Sequence, residues 1–239
     1  MAKRIILILD KSGSMLSQAD EVVEGVNDFI RDQKGAEIGA KAEDISLNLV
    51  MFSDRVEKMT NTTLKGADYL SSRDYRPGGS TALYDAIGGT VNKYKGEKSV
   101  ILIVATDGME NSSQEYGHSD ITRLLDECRE KDGWNIIYLS EDVETADQGD
   151  TMGLKHSYRG CSNVNVGKHN IGKVYKSKSF QTAVKGMRTG CQTIKVGRMD
   201  LHDPIESEPY LLKKTVFIEQ TYMKDPTWAK KLQKQNIFT

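Results

Sequence analysis

The chain has 239 residues, 38% of them apolar, and its 33 basic and 34 acidic side chains leave a formal net charge of −1. That length fits one large domain, with or without an appendage. The charge balance argues against a nucleic-acid binder, and no apolar run approaches the length of a membrane span.

Cys128, Cys161 and Cys191 are an odd number without a CxxC pair, which predicts reduced thiols in a cytosolic protein. Ala2-Lys3-Arg4 precedes an apolar run, as a secretory leader would, but the run is short and no small-residue cleavage site follows. A cytoplasmic location is therefore expected.

Ile5 to Leu9 is a short, β-branched-rich apolar run that predicts a strand buried on both faces. It ends in Asp10-Lys11-Ser12-Gly13-Ser14. Asp10, Ser12 and Ser14 can turn three oxygens toward one point, the kind of ligand that hard cations such as Mg²⁺ take. Val22, Val26, Phe29 and Ile30 then form the apolar stripe of a helix spanning about 17–31, weakened slightly by Gly25. Strands follow at 45–52 and 56–64, joined by Ser53-Asp54-Arg55. A connection that short predicts a hairpin and an antiparallel edge.

Pro77 to Thr81 is a loop leading into a helix over 82–94. Val100 to Ala105 is a second fully apolar strand, and it too runs into an acid, in Thr106-Asp107-Gly108. Ser119 is the expected N-cap of a helix carrying Ile121, Leu124, Leu125 and Cys128. A strand at 134–139, a short helix at 145–154, a short strand at 162–166 and a helix capped by Ser179 complete the pattern. The alternation predicts an α/β fold: a doubly wound, mostly parallel central sheet, helices on both faces and one antiparallel edge strand. A central first strand would bring Asp10 and Asp107 together at the mouth of the switch point, where such sheets bind ligands.

The character changes near residue 196, after which three of the four prolines fall. The expected division is a domain over 1–195 and an appendage over 196–239, with a strand at 215–222 and a short basic helix opened by Asp225-Pro226. The appendage's apolar groups offer a route to oligomers or to docking on another protein.

Taken together, the three loops resemble the von Willebrand factor A domain and its metal-ion-dependent adhesion site. That site combines a DxSxS loop, a threonine in a second Gly-rich loop and an aspartate in a third. Here these stand as Asp10-Lys11-Ser12-Gly13-Ser14, Gly79-Ser80-Thr81-Ala82-Leu83 and Thr106-Asp107-Gly108, in family order. The resemblance covers about Lys3 to Thr193 and is greatest to compact single-domain members of bacteria and their phages. It implies a Rossmann-like sheet and a site of Asp10, Ser12, Ser14, Thr81 and Asp107 for Mg²⁺ or Mn²⁺, partly through water. Ser80 also offers a hydroxyl; Thr81 is favoured because it directly precedes the Ala-Leu that opens the helix. The resemblance further implies a partner protein that supplies an Asp or Glu to the metal, so binding rather than catalysis.

Two alternatives belong beside this reading. A metal-dependent phosphohydrolase could use an aspartate after a buried strand as nucleophile, but it needs a second acid two residues on, where Ser12 stands. A structural subunit could assemble through the appendage. Several motifs fail outright. Asp10 to Glu21 mimics a calcium loop but has Met15 where glycine is required. Gly160 to His169 misses P-loop spacing. His118, His156, His169 and His202 lack ligand spacing. Cys128 falls on an apolar face and suits the core. Asn61-Thr62-Thr63 and Asn111-Ser112-Ser113 match the glycosylation pattern, which is moot without secretion.

Overall fold

A computed structural model describes residues 4–36, 41–155 and 160–188. The strands are β1 (Arg4–Asp10), β2 (Ser46–Phe52), β3 (Val56–Met59), β4 (Thr62–Thr63), β5 (Val100–Ala105), β6 (Asn135–Ser140) and β7 (Cys161–Asn165). The helices are α1 (Ala19–Lys34), α2 (Leu83–Tyr94), α3 (His118–Asp132), α4 (Val143–Thr151), α5 (Ile171–Lys176) and α6 (Lys178–Arg188). The strands form one sheet in the order β3-β2-β1-β5-β6-β7, with β4 also paired to β2.

β1 is central, paired in parallel with β2 on one side and β5 on the other. β6 and β7 extend the parallel part, while β3 and β4 pair antiparallel with β2. The chain therefore leaves β1 toward one edge and returns to its other side, which creates the predicted switch point. The fold is thus the doubly wound α/β architecture expected of the sequence, with its antiparallel edge split into two short segments. The two segments pair with β2 in one continuous register, and a separate register shift between Met51 and Phe52 lies within the β2–β3 pairing.

The apolar strands divide their side chains between two cores. Ile5, Leu7 and Leu9 point to the face covered by α1, α5 and α6, while Ile6 and Ile8 point to the face covered by α2 and α3. With a period of two, a strand that is apolar at every position serves both layers. On the first face Phe29, Tyr175 and Phe180 join α1, α5 and α6, with ring centroids 5.6–5.9 Å apart. Such aromatic pairs contribute roughly 0.5–1.5 kcal/mol beyond their burial.

Several element boundaries differ from expectation. The residues after Ser12 form a 3₁₀ turn over Gly13–Gln18 before α1 begins. α3 starts at His118 because Asp120 reaches back to accept from Gly117 N–H at 3.1 Å; Ser119 lies inside the first turn and does not cap it. α6 is capped by Ser177, whose Oγ accepts from Phe180 N–H at 3.2 Å, in place of Ser179. The expected elements at 215–222 and 226–234, and the boundary at 195, lie outside the described residues.

Candidate metal centre

Asp10 ends β1 where the sheet opens between β1 and β5. Leu9 is in register with Ala105, which puts Asp10 beside Thr106. The Asp10 side chain is fully buried; Oδ1 accepts from Ser12 N–H at 2.7 Å and Oδ2 from the Thr106 hydroxyl at 2.5 Å. Buried Tyr75 donates its hydroxyl to the Asp10 carbonyl at 2.5 Å. Burial pushes the Asp10 carboxyl up to about 6, even though hydrogen bonds from Thr106 and Ser12 pull the other way. It is a carboxylate short of compensating charge.

The Asp10–Ser12 bond closes an Asx turn that swings the following serines toward the rim. Ser12 Oγ lies 3.0 Å from Ser14 Oγ, and Ser14 Oγ donates to Asp107 Oδ1 at 2.5 Å. Gln18 Nε2 reaches Asp107 Oδ2 at 3.4 Å. Burial raises the Asp107 carboxyl as well, opposed by these bonds from Ser14 and Gln18. The first loop is laced to the second: Gly78 N–H donates to Lys11 O at 2.8 Å and Gly13 N–H to Gly79 O at 3.1 Å. Gly79 has φ +80°, a left-handed conformation in which glycine carries no steric penalty.

Thr81 is 3% exposed, whereas Ser80 faces solvent. The position of Gly108 shows how the loops converge. A Cβ built on it would stand 2.9 Å from Thr81 Oγ1 and 3.5 Å from both Asp10 Oδ2 and Ser14 Oγ. Oxygens from the first and second loops thus surround one small space that Gly108 of the third loop leaves free. Ser12 and Asp107 are linked to it through Ser14. The structure therefore brings all five candidate side chains to one place. Two carboxylates and three hydroxyls are a hard, all-oxygen donor set, and that chemistry fits Mg²⁺ or Mn²⁺. Among the described residues no group of three or more His, Cys, Asp or Glu is placed to hold a metal. The candidate centre is a different kind of arrangement, with hydroxyls in the majority.

Sequence reasoning did not find the residues that hold the candidate ligands. Thr106 was visible as a polar residue between an apolar strand and Asp107. Tyr75 and Gln18 carry no local pattern, since Tyr75 meets Asp10 across 65 residues and Gln18 meets Asp107 across 89. Of the histidines, His118 is exposed beside Tyr84 and His169 Nδ1 lies 3.0 Å from Ser17 Oγ. His156 and His202 fall outside the described residues. Cys128 and Cys161 are free and buried, and burial pushes their thiols up to about 12 and about 11.

The sequence profile of the von Willebrand factor type A domain matches residues 5–166, more than half of the chain. The chain belongs to the von Willebrand factor type A domain family. No curated protein matches it. Among solved structures, a von Willebrand factor type A protein from Catenulispora acidiphila superposes with a TM-score of 0.50 at 13% identity, covering 82% of this chain and 44% of that one. The PilB minor pilin from Streptococcus sanguinis superposes with a TM-score of 0.56 at 14% identity, covering 77% and 61%. These likenesses show the fold. The chain spans less than two thirds of the length of either protein. α5 and α6 lie beyond the residues matched to the A domain yet pack into the same core as α1. A domains are often metal-dependent protein-interaction modules.

Proposed function

We propose that this A domain is a divalent-cation-dependent protein-binding module, in which Asp10, Ser12, Ser14, Thr81 and Asp107 hold Mg²⁺ or Mn²⁺ and a partner protein contributes an Asp or Glu. The observation that carries this reading is the cradle at Gly108, where Thr81 Oγ1, Asp10 Oδ2 and Ser14 Oγ converge. Two carboxylates formally balance a divalent cation, so with neutral hydroxyls as the other protein ligands a bound ion would still accept a carboxylate from outside in place of a water. Ser12 N–H and the Thr106 hydroxyl orient Asp10. Ser14 and Gln18 hold Asp107. Asp10 is fully buried with both oxygens hydrogen-bonded, a placement that suits a ligand better than an attacking nucleophile.

The surroundings support a protein as the partner. Leu16, Met109 and Val143 are 66%, 45% and 61% exposed, and they follow β1, β5 and β6, three adjacent strands, at the same end of the sheet. Apolar side chains near a charged centre suit an acidic residue flanked by apolar ones. The reading includes a cytoplasmic setting, supported by the free thiols of Cys128 and Cys161.

Selection from a displayed peptide library tests it. In Mg²⁺ the wild-type domain should enrich peptides with an Asp or Glu beside apolar residues, and chelator should release them. Enrichment indifferent to chelator, or of peptides without carboxylates, contradicts the reading.

A further inference from the structure

The segment after the third loop makes contacts that holding Asp107 does not require. Asn111 Oδ1 accepts from Thr81 N–H at 2.9 Å, and Thr81 O accepts from Asn111 N–H at 3.0 Å and Ser112 N–H at 3.3 Å. Thr81 is thus pinned through both its N–H and its carbonyl. Glu110 carries the tie into α2. Its carboxylate accepts from Tyr84 N–H at 2.8 Å, Ser112 N–H at 2.9 Å, and the N–H and hydroxyl of Ser113, both at 2.7 Å. Four donors occupy a group with about four acceptor positions, so Glu110 is committed to this role.

The tie is reciprocal. Ser113 Oγ accepts from Asp85 N–H at 3.0 Å, and the Asp85 carboxylate accepts from the N–H groups of Gln114, Glu115 and Tyr116 at 2.8–2.9 Å. From behind, buried Gln148 accepts from Glu110 N–H at 2.7 Å and donates to Tyr138 OH at 3.0 Å. The N–H groups of Tyr84 and Asp85, in the first turn of α2, are therefore satisfied by the strap at 110–113, and the second and third loops are fastened into one body.

Such fastening bears on ion size. Mg²⁺ requires near-octahedral oxygens at about 2.0–2.1 Å, whereas Ca²⁺ accepts about 2.3–2.6 Å in looser geometry. A retreat of several tenths of an ångström would stretch and weaken the bonds on both the N–H and the carbonyl of Thr81, and a β-branched side chain has little χ1 freedom with which to compensate. We propose that the 110–113 strap, acting through Asn111 and Glu110, positions Thr81 Oγ1 and makes the centre selective for Mg²⁺ over Ca²⁺. The inference rests on the reading of the five oxygens as a cation site, and it makes Asn111 and Glu110 positioning residues.

The test is Asn111→Ala, with Asn111→Asp as the conservative variant whose carboxylate still accepts from Thr81 N–H. Calorimetry with MgCl₂ and with CaCl₂ gives both affinities, and hydrogen exchange in chelator reports the Thr81 amide without metal. In Asn111→Ala the Thr81 amide should exchange faster than in wild type. Mg²⁺ affinity should fall about tenfold, at the lower end for residues that orient ligands, and Ca²⁺ affinity should fall less. Asn111→Asp should retain the wild-type ratio. Equal losses for the two ions in Asn111→Ala, or an unchanged ratio, overturns the strap's role and leaves the cation site standing. Wild-type protein that binds neither ion overturns both.

Discussion

At Asp10, burial and charge oppose each other. Its carboxyl titrates near 6, against an ordinary 3.8, so the metal-free folded protein holds this proton more tightly than the unfolded chain does. The sign follows from linkage: between those values stability falls as pH rises, and it is greatest below them. At about 1.4 kcal/mol per pKa unit, ionising Asp10 costs the folded state roughly 3 kcal/mol. In chelator, the stability of wild type relative to Asp10→Asn should therefore drop between about pH 4 and 7. Comparison with the variant cancels acids that behave oppositely, such as Glu57, which is held low by Lys11 and Ser53 despite partial burial. At pH 8, Mg²⁺ at a hundredfold excess over its Kd should add about 2.7 kcal/mol to wild type and nothing to the variant. Urea unfolding across pH measures both; a wild-type advantage that grows with pH in chelator contradicts this account of Asp10.

Among the elements, two glycines in helices have opposite roles. A Cβ on Gly25 would lie 2.2 Å from Gly172 O, and one on Gly172 would lie 2.2 Å from Glu21 O, so α1 and α5 touch backbone to backbone. Gly25→Ala should destabilise the domain by about 1–3 kcal/mol, the usual range for overpacking. Gly89, in α2, meets nothing within 4 Å, and Gly89→Ala should stabilise by about 0.5–1 kcal/mol. Urea midpoints of the two variants should move in opposite directions; a shift in the same direction would discount the contact. The same contact explains what the sequence concealed. β1 and β5 were legible because a strand buried on both faces is apolar throughout. α5 was not, because six residues carry only Ile171, Val174 and Tyr175 as a stripe, and its docking depends on glycines that show no pattern. The caps were misjudged by a residue or two because Asp120 and Ser177 act from positions that local preference alone does not single out.

For the whole molecule, the decisive feature is the reversal of strand order at β1 and β5. It carries Asp10 and Asp107, 97 residues apart, to one rim, and the loop before α2 brings Thr81 to the same place. The DxSxS spacing was readable locally. Thr81 and Asp107 needed the order of elements and the family resemblance. Tyr75, Gln18 and Asn111, which hold the loops in position, are contacts of the finished fold and leave no trace in local sequence. Exposed Leu16, Met109 and Val143 follow the strands β1, β5 and β6 at that end of the sheet, and the centre's capacity to bind a cation is what the proposed function requires. Titration calorimetry of Mg²⁺ into wild type and Asp10→Asn, both folded by circular dichroism, measures that capacity. One cation should bind per wild-type molecule, with none bound by the variant. Undiminished Mg²⁺ binding by Asp10→Asn, or no binding by wild type, contradicts the assignment.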